Sequence, residues 1–512
     1  MKLSVAFACG FVISRVGVAS CSPYTAARKL PRELAAVDAV REDAPPNATN
    51  SSGRLFTKAE VAKFTSPDHG GVYVTHLDGV YDVTDFVKYH PGGNKIMLAA
   101  GASVDPYWKV YKQHLAEHVL EVLEEMRIGT LVDYSPSADA GEVVLNPYEN
   151  EPQNRSPRLM VHSTQPFCAG TVEAQIPLHY ITPTELMYVR HNNPVPVQEE
   201  YKLGLGWGIQ LSLQDLKDRF IPKEVVMTLI CAGNRREEVN QVEPVVGLSW
   251  KSDAVSTAKW KGVLLKDLRA LIEDGGPNAD ETRHVWFLGR DHPYDASIPV
   301  EKAFADKGDV LVAYELNGQP ISRDHGGPVR VVVPGHVAAR SVKWLEKIQA
   351  SSEESKSSWQ RGPAYKSFGP DIKKLEGVHS EDFPSLQEVP VQSAICTYEW
   401  DPKRDRIDMR GWAWSGGGRK ILRVEVSTDG GKHWQPATLG EGKDQPLGKA
   451  WAWTFWGCQA EVAPTGQEQI ELVVRCCDES FNVQPESTSA VWNIRGNYNN
   501  SYHRVKIANP KK

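Results

Sequence analysis

The chain has 512 residues, 41% hydrophobic and 24% charged, an ordinary balance for globular protein; a chain of this length holds about three or four domains. Its 58 basic and 64 acidic residues leave a formal charge of −6, and no basic run is interleaved with aromatics, which argues against a nucleic-acid partner. Eight scattered cysteines without a C-x-x-C pair argue against a zinc site, an iron–sulfur cluster or a disulfide scaffold.

The first 32 residues carry Lys2, Arg15, Arg28, Lys29 and Arg32, with no acidic residue before Glu33. Rich in Ser and Ala, they read as a mitochondrial presequence. The alternative is a secretory signal, with Leu3–Ile13 as its apolar core, a cut after Ser20 and sequons at Asn47 and Asn50. No apolar run reaches the roughly 18 residues of a spanning helix, so no membrane span is expected. The presequence and an Ala-, Asp-, Pro- and Asn-rich segment predicted to be disordered fill residues 1–53.

A small domain is expected over 54–132. Thr57-Lys58-Ala59-Glu60 reads as a capping box. Gly71-Val72-Tyr73-Val74 and Val80-Tyr81-Asp82-Val83 read as short strands, helical stretches surround His90 and His114, and Ala116–Met126 closes the unit. His90 precedes Pro91-Gly92-Gly93, where glycine lets the backbone turn sharply. His114 and His118 follow 24 and 28 residues later. With Asp82–Val87 before the turn and Leu98–Gly101 after it, residues 56–131 resemble cytochrome b5. That resemblance implies a b-type haem with His90 and His114 as its iron ligands, leaving His118 at the surface or behind the site. Residues 133–157, with Ser-Pro-Ser, Asn-Pro and Glu-Pro, read as a flexible linker on which the haem domain swings.

Beyond residue 158 strands and short helices mix, and Leu229-Ile230-Cys231-Ala232-Gly233-Asn234-Arg235-Arg236 stands out. A cysteine beside a glycine turn and two cations suits a thiolate that ligates metal or acts as a nucleophile; a buried inert cysteine is the plainer reading. Further uncommon strings are Tyr188–Pro196, Gly247–Trp250, Ala313–Pro320, Arg323–Gly335 and Ser415–Arg419. In this order the set is similar to the sulfite oxidase and assimilatory nitrate reductase family, from residue 158 to the end. The resemblance implies a molybdenum–molybdopterin centre, with Cys231 as the soft anionic metal ligand. It assigns the pterin to Tyr188, Val189, Arg190, His191, Asn192, Asp291, His325, Arg330, Ser341, Val342 and Lys343. It assigns a small oxyanion to the guanidinium forks of Arg190, Arg236 and Arg495, with Trp250 as a wall and Tyr314 as a hydrogen-bonding partner. Two residues depart from the pattern: Val246 stands where vertebrate members carry lysine, and Asp295 replaces a glycine.

From residue 389 onward, Gly411–Ser415, Ile421–Ser427, Trp451–Trp456 and Ile470–Arg475 are short strands between tight turns, the pattern of an immunoglobulin-like β-sandwich. The tryptophans Trp451, Trp453 and Trp456 fit either a subunit face or the domain's own core. The expected architecture is multidomain α+β: a cytochrome b5-like domain, a mixed α+β molybdopterin domain over 158–388, and a β-sandwich over 389–512. The family implies oxidation of sulfite to sulfate, electrons leaving singly through the haem to cytochrome c in the mitochondrial intermembrane space, and a homodimer formed through the β-sandwich. Nitrate reduction is the alternative enzyme reading. Family members with that activity place the haem module after the β domain and follow it with a flavin domain, whereas here it comes first. A haem electron carrier with a vestigial molybdenum domain is the non-enzymatic alternative.

Overall fold

The computed structural model describes residues 53–67, 70–87, 90, 93–115, 117–135, 148–197, 200–291, 294–462 and 468–509. The presequence reading, both sequons, Pro91, Gly92, the side chain of His118 and residues 136–147 of the expected linker lie outside them.

The amino-terminal module is built on five strands in the spatial order Leu55–Phe56, Arg127–Leu131, Gly79–Asp82, Gly71–His76, Thr65–Ser66. The capping box forms: Thr57 accepts from the Glu60 amide, and the Glu60 carboxylate accepts from the Thr57 amide at 2.7 Å. The stretches expected to be helical around the two histidines are short: a 3-10 helix at Gly93–Ala99, an α-helix at Asp105–Val110 and a 3-10 turn at Lys112–Leu115. Val72, Val74, Tyr81, Trp108 and Leu123 fill the space between sheet and helices. The closing helix, Glu117–Glu124, hands over to Arg127–Leu131, which pairs parallel with the first strand.

The central region contains two five-stranded sheets and a smaller three-stranded one. In one large sheet Pro222–Ile230 pairs antiparallel with Val255–Leu264, which pairs with Leu311–Leu316. Side chains alternate across a strand. Leu311 and Ala313 therefore enter the same core as Leu229 and Trp260, while Val312 and Tyr314 enter the opposite one with Val263 and Val331.

The carboxy-terminal region is a pair of four-stranded antiparallel sheets. The tryptophans belong to the chain's own interior. Trp451 donates to Asp309 at 2.9 Å, Trp453 donates to the Tyr180 carbonyl at 3.0 Å, and Trp456 fills the sandwich core. The strand expected at Trp451–Trp456 begins only at Thr454, because Trp451 and Trp453 turn back onto the central region.

Arg235 fastens these two regions together. Fully buried, it makes a two-armed pair with Glu238 at 2.7 and 2.6 Å and donates to the Ser501 carbonyl at 2.8 Å and the Tyr502 carbonyl at 3.2 Å. Burial raises the Glu238 carboxyl, but the Arg235 guanidinium outweighs it and holds the group below its ordinary value. Removing one partner of a buried pair leaves the other charge uncompensated, at a cost of about 3–5 kcal/mol. Arg235→Met therefore lowers the thermal midpoint by several degrees, as differential scanning calorimetry would measure; an unchanged midpoint would show that the fastening is dispensable.

Candidate active site

Cys231 sits at the exit of strand Pro222–Ile230, clamped by its neighbours. Its amide donates to the Ala254 carbonyl and its own carbonyl accepts from the Asn234 amide, both at 3.0 Å. The Asn234 side chain accepts from the Ala254 amide at 3.0 Å, so the turn is closed from both sides. Arg235 then adopts a left-handed conformation, φ 62°, and sends its side chain away from that of Arg236.

The half-buried Cys231 thiol lines a cleft with Tyr188, Val189, Arg190, Asn192, Asp291, His325, Arg330, Ser341 and Lys343. These residues come from several stretches of the sequence, around residues 188–192, 231, 291, 325–330 and 341–343, and the fold brings them together. Arg330 donates to the carbonyls of His325 at 2.9 Å and Ser341 at 2.6 Å. Lys343 reaches the carbonyls of Arg190 at 3.1 Å and Asp324 at 3.2 Å. Burial pushes His325 down to about 4 and Arg330 down to about 10, so the ring is neutral and the guanidinium charged near neutral pH. Burial and the like charge of Arg330 also lower Lys343, with Asp291 opposing.

Arg236 and Arg495 stand behind the cleft rather than on its lining. Arg236 donates to the carbonyls of Arg495 and Leu248, both at 2.7 Å, and to Asn497 Oδ1 at 2.9 Å. Burial lowers it, with the Cys231 sulfur and the Tyr365 hydroxyl opposing. Arg495 is pushed down to about 10 by burial and by the like charges of Arg236 and Arg190. Among the described residues no carboxylate forms an ion pair with Arg190, Arg236, Arg330 or Arg495. The side-chain donors of Arg190, Arg236 and Arg330 go to neutral acceptors, and Arg330 Nε and Arg495 Nε are buried without a partner.

Four assigned residues fall elsewhere. Tyr314 lies in the core on the far side of its sheet from Cys231, under Lys217 at 5.4 Å; strand alternation puts it there. Besides Tyr188, two tyrosines that sequence reasoning missed line the cleft with Cys231 and Arg190: Tyr294, whose hydroxyl donates to the Ala339 carbonyl at 2.8 Å, and Tyr365. Tyr365 closes a 3-10 turn at Pro363–Tyr365, in irregular chain where no periodicity marks it; the turn signal Gly362-Pro363 was the only local cue. Trp250 is fully buried in the core against which Cys231 packs, 4.6 Å from the His162 ring, and does not line the cleft. Val342 is likewise core, and the buried His191 ring is not on the cleft lining, its Nε2 meeting the Asp324 carbonyl at 3.0 Å. Of the two departures, Val246 is exposed at the surface, and Asp295 accepts from the Ser355 hydroxyl.

In the amino-terminal module the rings of His90 and His114 are nearly parallel, 10° apart in plane, with centroids 6.0 Å apart. Two metal–nitrogen bonds of about 2 Å each plus the two half-rings span about that distance. His114 Nδ1 lies 2.8 Å from the Tyr111 carbonyl, which leaves Nε2 as the ligating atom. The residues fit a haem held from both faces. The cleft fits a large polar ligand for a different reason: Asn192 Oδ1, Asp291 Oδ1 and Arg330 Nε are buried without partners around it, and such atoms in a folded protein call for an explanation.

Residues 57–132 match the cytochrome b5-like heme/steroid binding domain, residues 192–359 the oxidoreductase molybdopterin binding domain, and residues 384–510 the Mo-co oxidoreductase dimerisation domain. Mitochondrial sulfite oxidase from Homo sapiens is 43% identical over 479 residues, covering 90% of this chain and 85% of its own. Sulfite oxidase from Gallus gallus is 42% identical, covering 88% and 99% respectively. The sulfane dehydrogenase SoxCD of Paracoccus pantotrophus shares the fold, with a TM-score of 0.55 at 22% identity over 73% of this chain and 95% of its own.

Replacing Arg330 by Gln removes a charge-assisted donor from the cleft. It lowers the pterin recovered from denatured protein by about tenfold or more, while the haem absorbance stays at its wild-type intensity; full pterin content would remove Arg330 from the cofactor site.

Proposed function

This chain belongs to the sulfite oxidase family, and from that premise we propose how its residues divide the work. It oxidises sulfite to sulfate and carries both a molybdopterin-binding domain and a haem-binding domain. When bound, the molybdenum centre supplies oxygen-atom transfer and two-electron chemistry, and the haem passes electrons one at a time.

Cys231 holds the metal through sulfur, and the polar ring of Asn192, Asp291, His325, Arg330, Ser341 and Lys343 holds the pterin. Arg190, Arg236 and Arg495 draw the sulfite anion into place, and Tyr365 takes the hydrogen-bonding role that the sequence had given to Tyr314. The observation that carries this reading is the gathering of cations without carboxylate partners around the Cys231 thiol. At about 4 Å, one such charge attracts an anion by roughly 4 kcal/mol at an effective dielectric near 20, before desolvation. A neutral solute gains none of this, so the site selects anions. His90 and His114 hold the haem iron.

The division proposed is a presequence and variable segment to residue 53, a haem domain at 54–132, a linker at 133–157, a molybdenum domain at 158–388 and a dimer-forming sandwich at 389–512. The electron acceptor proposed is cytochrome c in the mitochondrial intermembrane space. The basic, acid-free first 32 residues and the mitochondrial relatives support that address; the one-electron haem suits a one-electron acceptor.

An anaerobic absorbance spectrum before and after sulfite tests the whole scheme. Sulfite alone should reduce the haem, and Cys231→Ser should abolish that with the haem band intact. If dithionite reduces the haem but sulfite does not, in protein shown to contain molybdenum, the substrate is wrong. Arg495→Gln should lower kcat/KM for sulfite by about 10–100-fold, mainly through KM, the loss of one charge-assisted contact. Tyr365→Phe should lower turnover while Tyr314→Phe leaves it unchanged; the reverse pattern in steady-state assays would restore Tyr314 to the site.

A further inference from the structure

Two side chains of the haem module reach beyond it: Lys95 to the molybdenum domain, and Tyr111 to the linker segment packed on that domain. Lys95, five positions beyond His90, donates its Nζ to Asn193 Oδ1 at 2.9 Å. Asn193 passes the contact on, its Nδ2 donating to the Asp291 carbonyl at 2.9 Å. Asp291 and Asn192, the neighbour of Asn193, both line the cofactor cleft. On the other flank Tyr111, whose carbonyl meets His114 Nδ1, sets its ring edge-on to Tyr148 at 5.7 Å and 69°. Tyr148 begins the segment that Glu151 and Arg155 tie to the molybdenum domain, through the Val195 amide at 2.8 Å and Asp324 at 2.8 Å.

Lysine is among the side chains least often buried at a contact, and here burial works against its charge while Asp291 favours it. A packing role would be met by an apolar residue of the same length. A charge kept at this point fits a contact that must form, hold a set orientation and release.

We propose that Lys95 is an interdomain positioning residue, latching the haem module onto the molybdenum domain at Asn193, one hydrogen bond from Asp291 of the cofactor cleft. This rests on the reading that electrons pass from the cleft to the haem. Sulfite oxidation releases two electrons, and the haem iron accepts one at a time, Fe(III) to Fe(II). Each is handed to a one-electron acceptor before the next arrives, so the latched pose is used twice for every sulfite.

The test uses the full-length holoenzyme. In anaerobic stopped-flow mixing with sulfite, Lys95→Met should slow haem reduction by about tenfold or more, since misplacement of reacting centres is that costly. Lys95→Arg should restore most of the rate. Turnover with a small oxidant that bypasses the haem, and the haem spectrum itself, should stay as in wild type, which separates positioning from folding. A second measurement reads the contact without activity. Asn193→Asp places a carboxylate against Lys95 Nζ, and a carbodiimide should couple the two into an amide with loss of water, seen as a linked peptide by mass spectrometry. The same treatment of Lys95→Met/Asn193→Asp should give none. An unchanged rate in Lys95→Met, or no linked peptide in Asn193→Asp, overturns the proposal. Failure of wild type to turn over with the small oxidant would instead sink the catalytic reading and leave the linked peptide to judge the contact.

Discussion

Buried positive charge without a carboxylate partner is the constraint around which the molecule is arranged. A guanidinium moved out of water costs several kcal/mol even after relaxation, and each carbonyl that accepts from it returns about 1.5–3 kcal/mol. Arg236 has three such acceptors, supplied by Arg495, Leu248 and Asn497. Two of the three come from the far end of the chain, so the β-sandwich serves the site directly and not only as a platform. The close fit also dictates glycine: a Cβ on Gly233 or Gly247 would sit 2.3 or 2.9 Å from the Arg236 guanidinium. Held only by neutral groups, the cation keeps its full charge, as the anion-binding role proposed for it requires.

The adjacent Arg235 shows the opposite use of the same residue type. Its left-handed backbone turns the side chain away from Arg236, and Glu238 neutralises it. One arginine therefore spends its charge on holding two regions together, and the next conserves it for the site. The Cys231 turn lies between strand and helix at that junction, and the fastening that stabilises the fold also fixes where the sulfur points.

How much of this was legible follows from how locally each feature is encoded. The Cys231 turn and the capping box at Thr57 are short strings whose residue types carry their own geometry, and they could be read without knowing the fold. Tyr314 could not be placed that way. Its position depends on strand parity within a sheet, set by a pairing with Val255–Leu264 whose register shifts part-way, and one step along the strand exchanges the two cores. Tyr365 was hidden for a related reason: it enters the cleft from a turn in irregular chain, so neither period 2 nor period 3.6 marks it. Trp451 and Trp453 misled in the other direction, because apolar alternation resembles a strand whether or not the indole nitrogens are claimed by another region.

The segment after strand Val189–Arg190 carries the same parity argument into function. Arg190 and Asn192 face the cleft, whereas His191 and Asn193 face away from it, His191 toward Asp324 and Asn193 toward Lys95 of the haem module. Four consecutive residues thus touch the proposed anion site, the Arg155–Asp324 pair that ties down the linker's end, the cofactor cleft and the haem module's contact. A shift of this backbone would disturb substrate, cofactor and electron path together. Its packing is correspondingly tight: Lys343 holds the Arg190 carbonyl, Trp344 lies against the His191 ring at 5.6 Å, and Asn193 bonds on both sides. Two-electron chemistry at one centre and one-electron transfer at another need a defined pose while electrons pass, and this short stretch of chain carries contacts to both the cleft and the haem module.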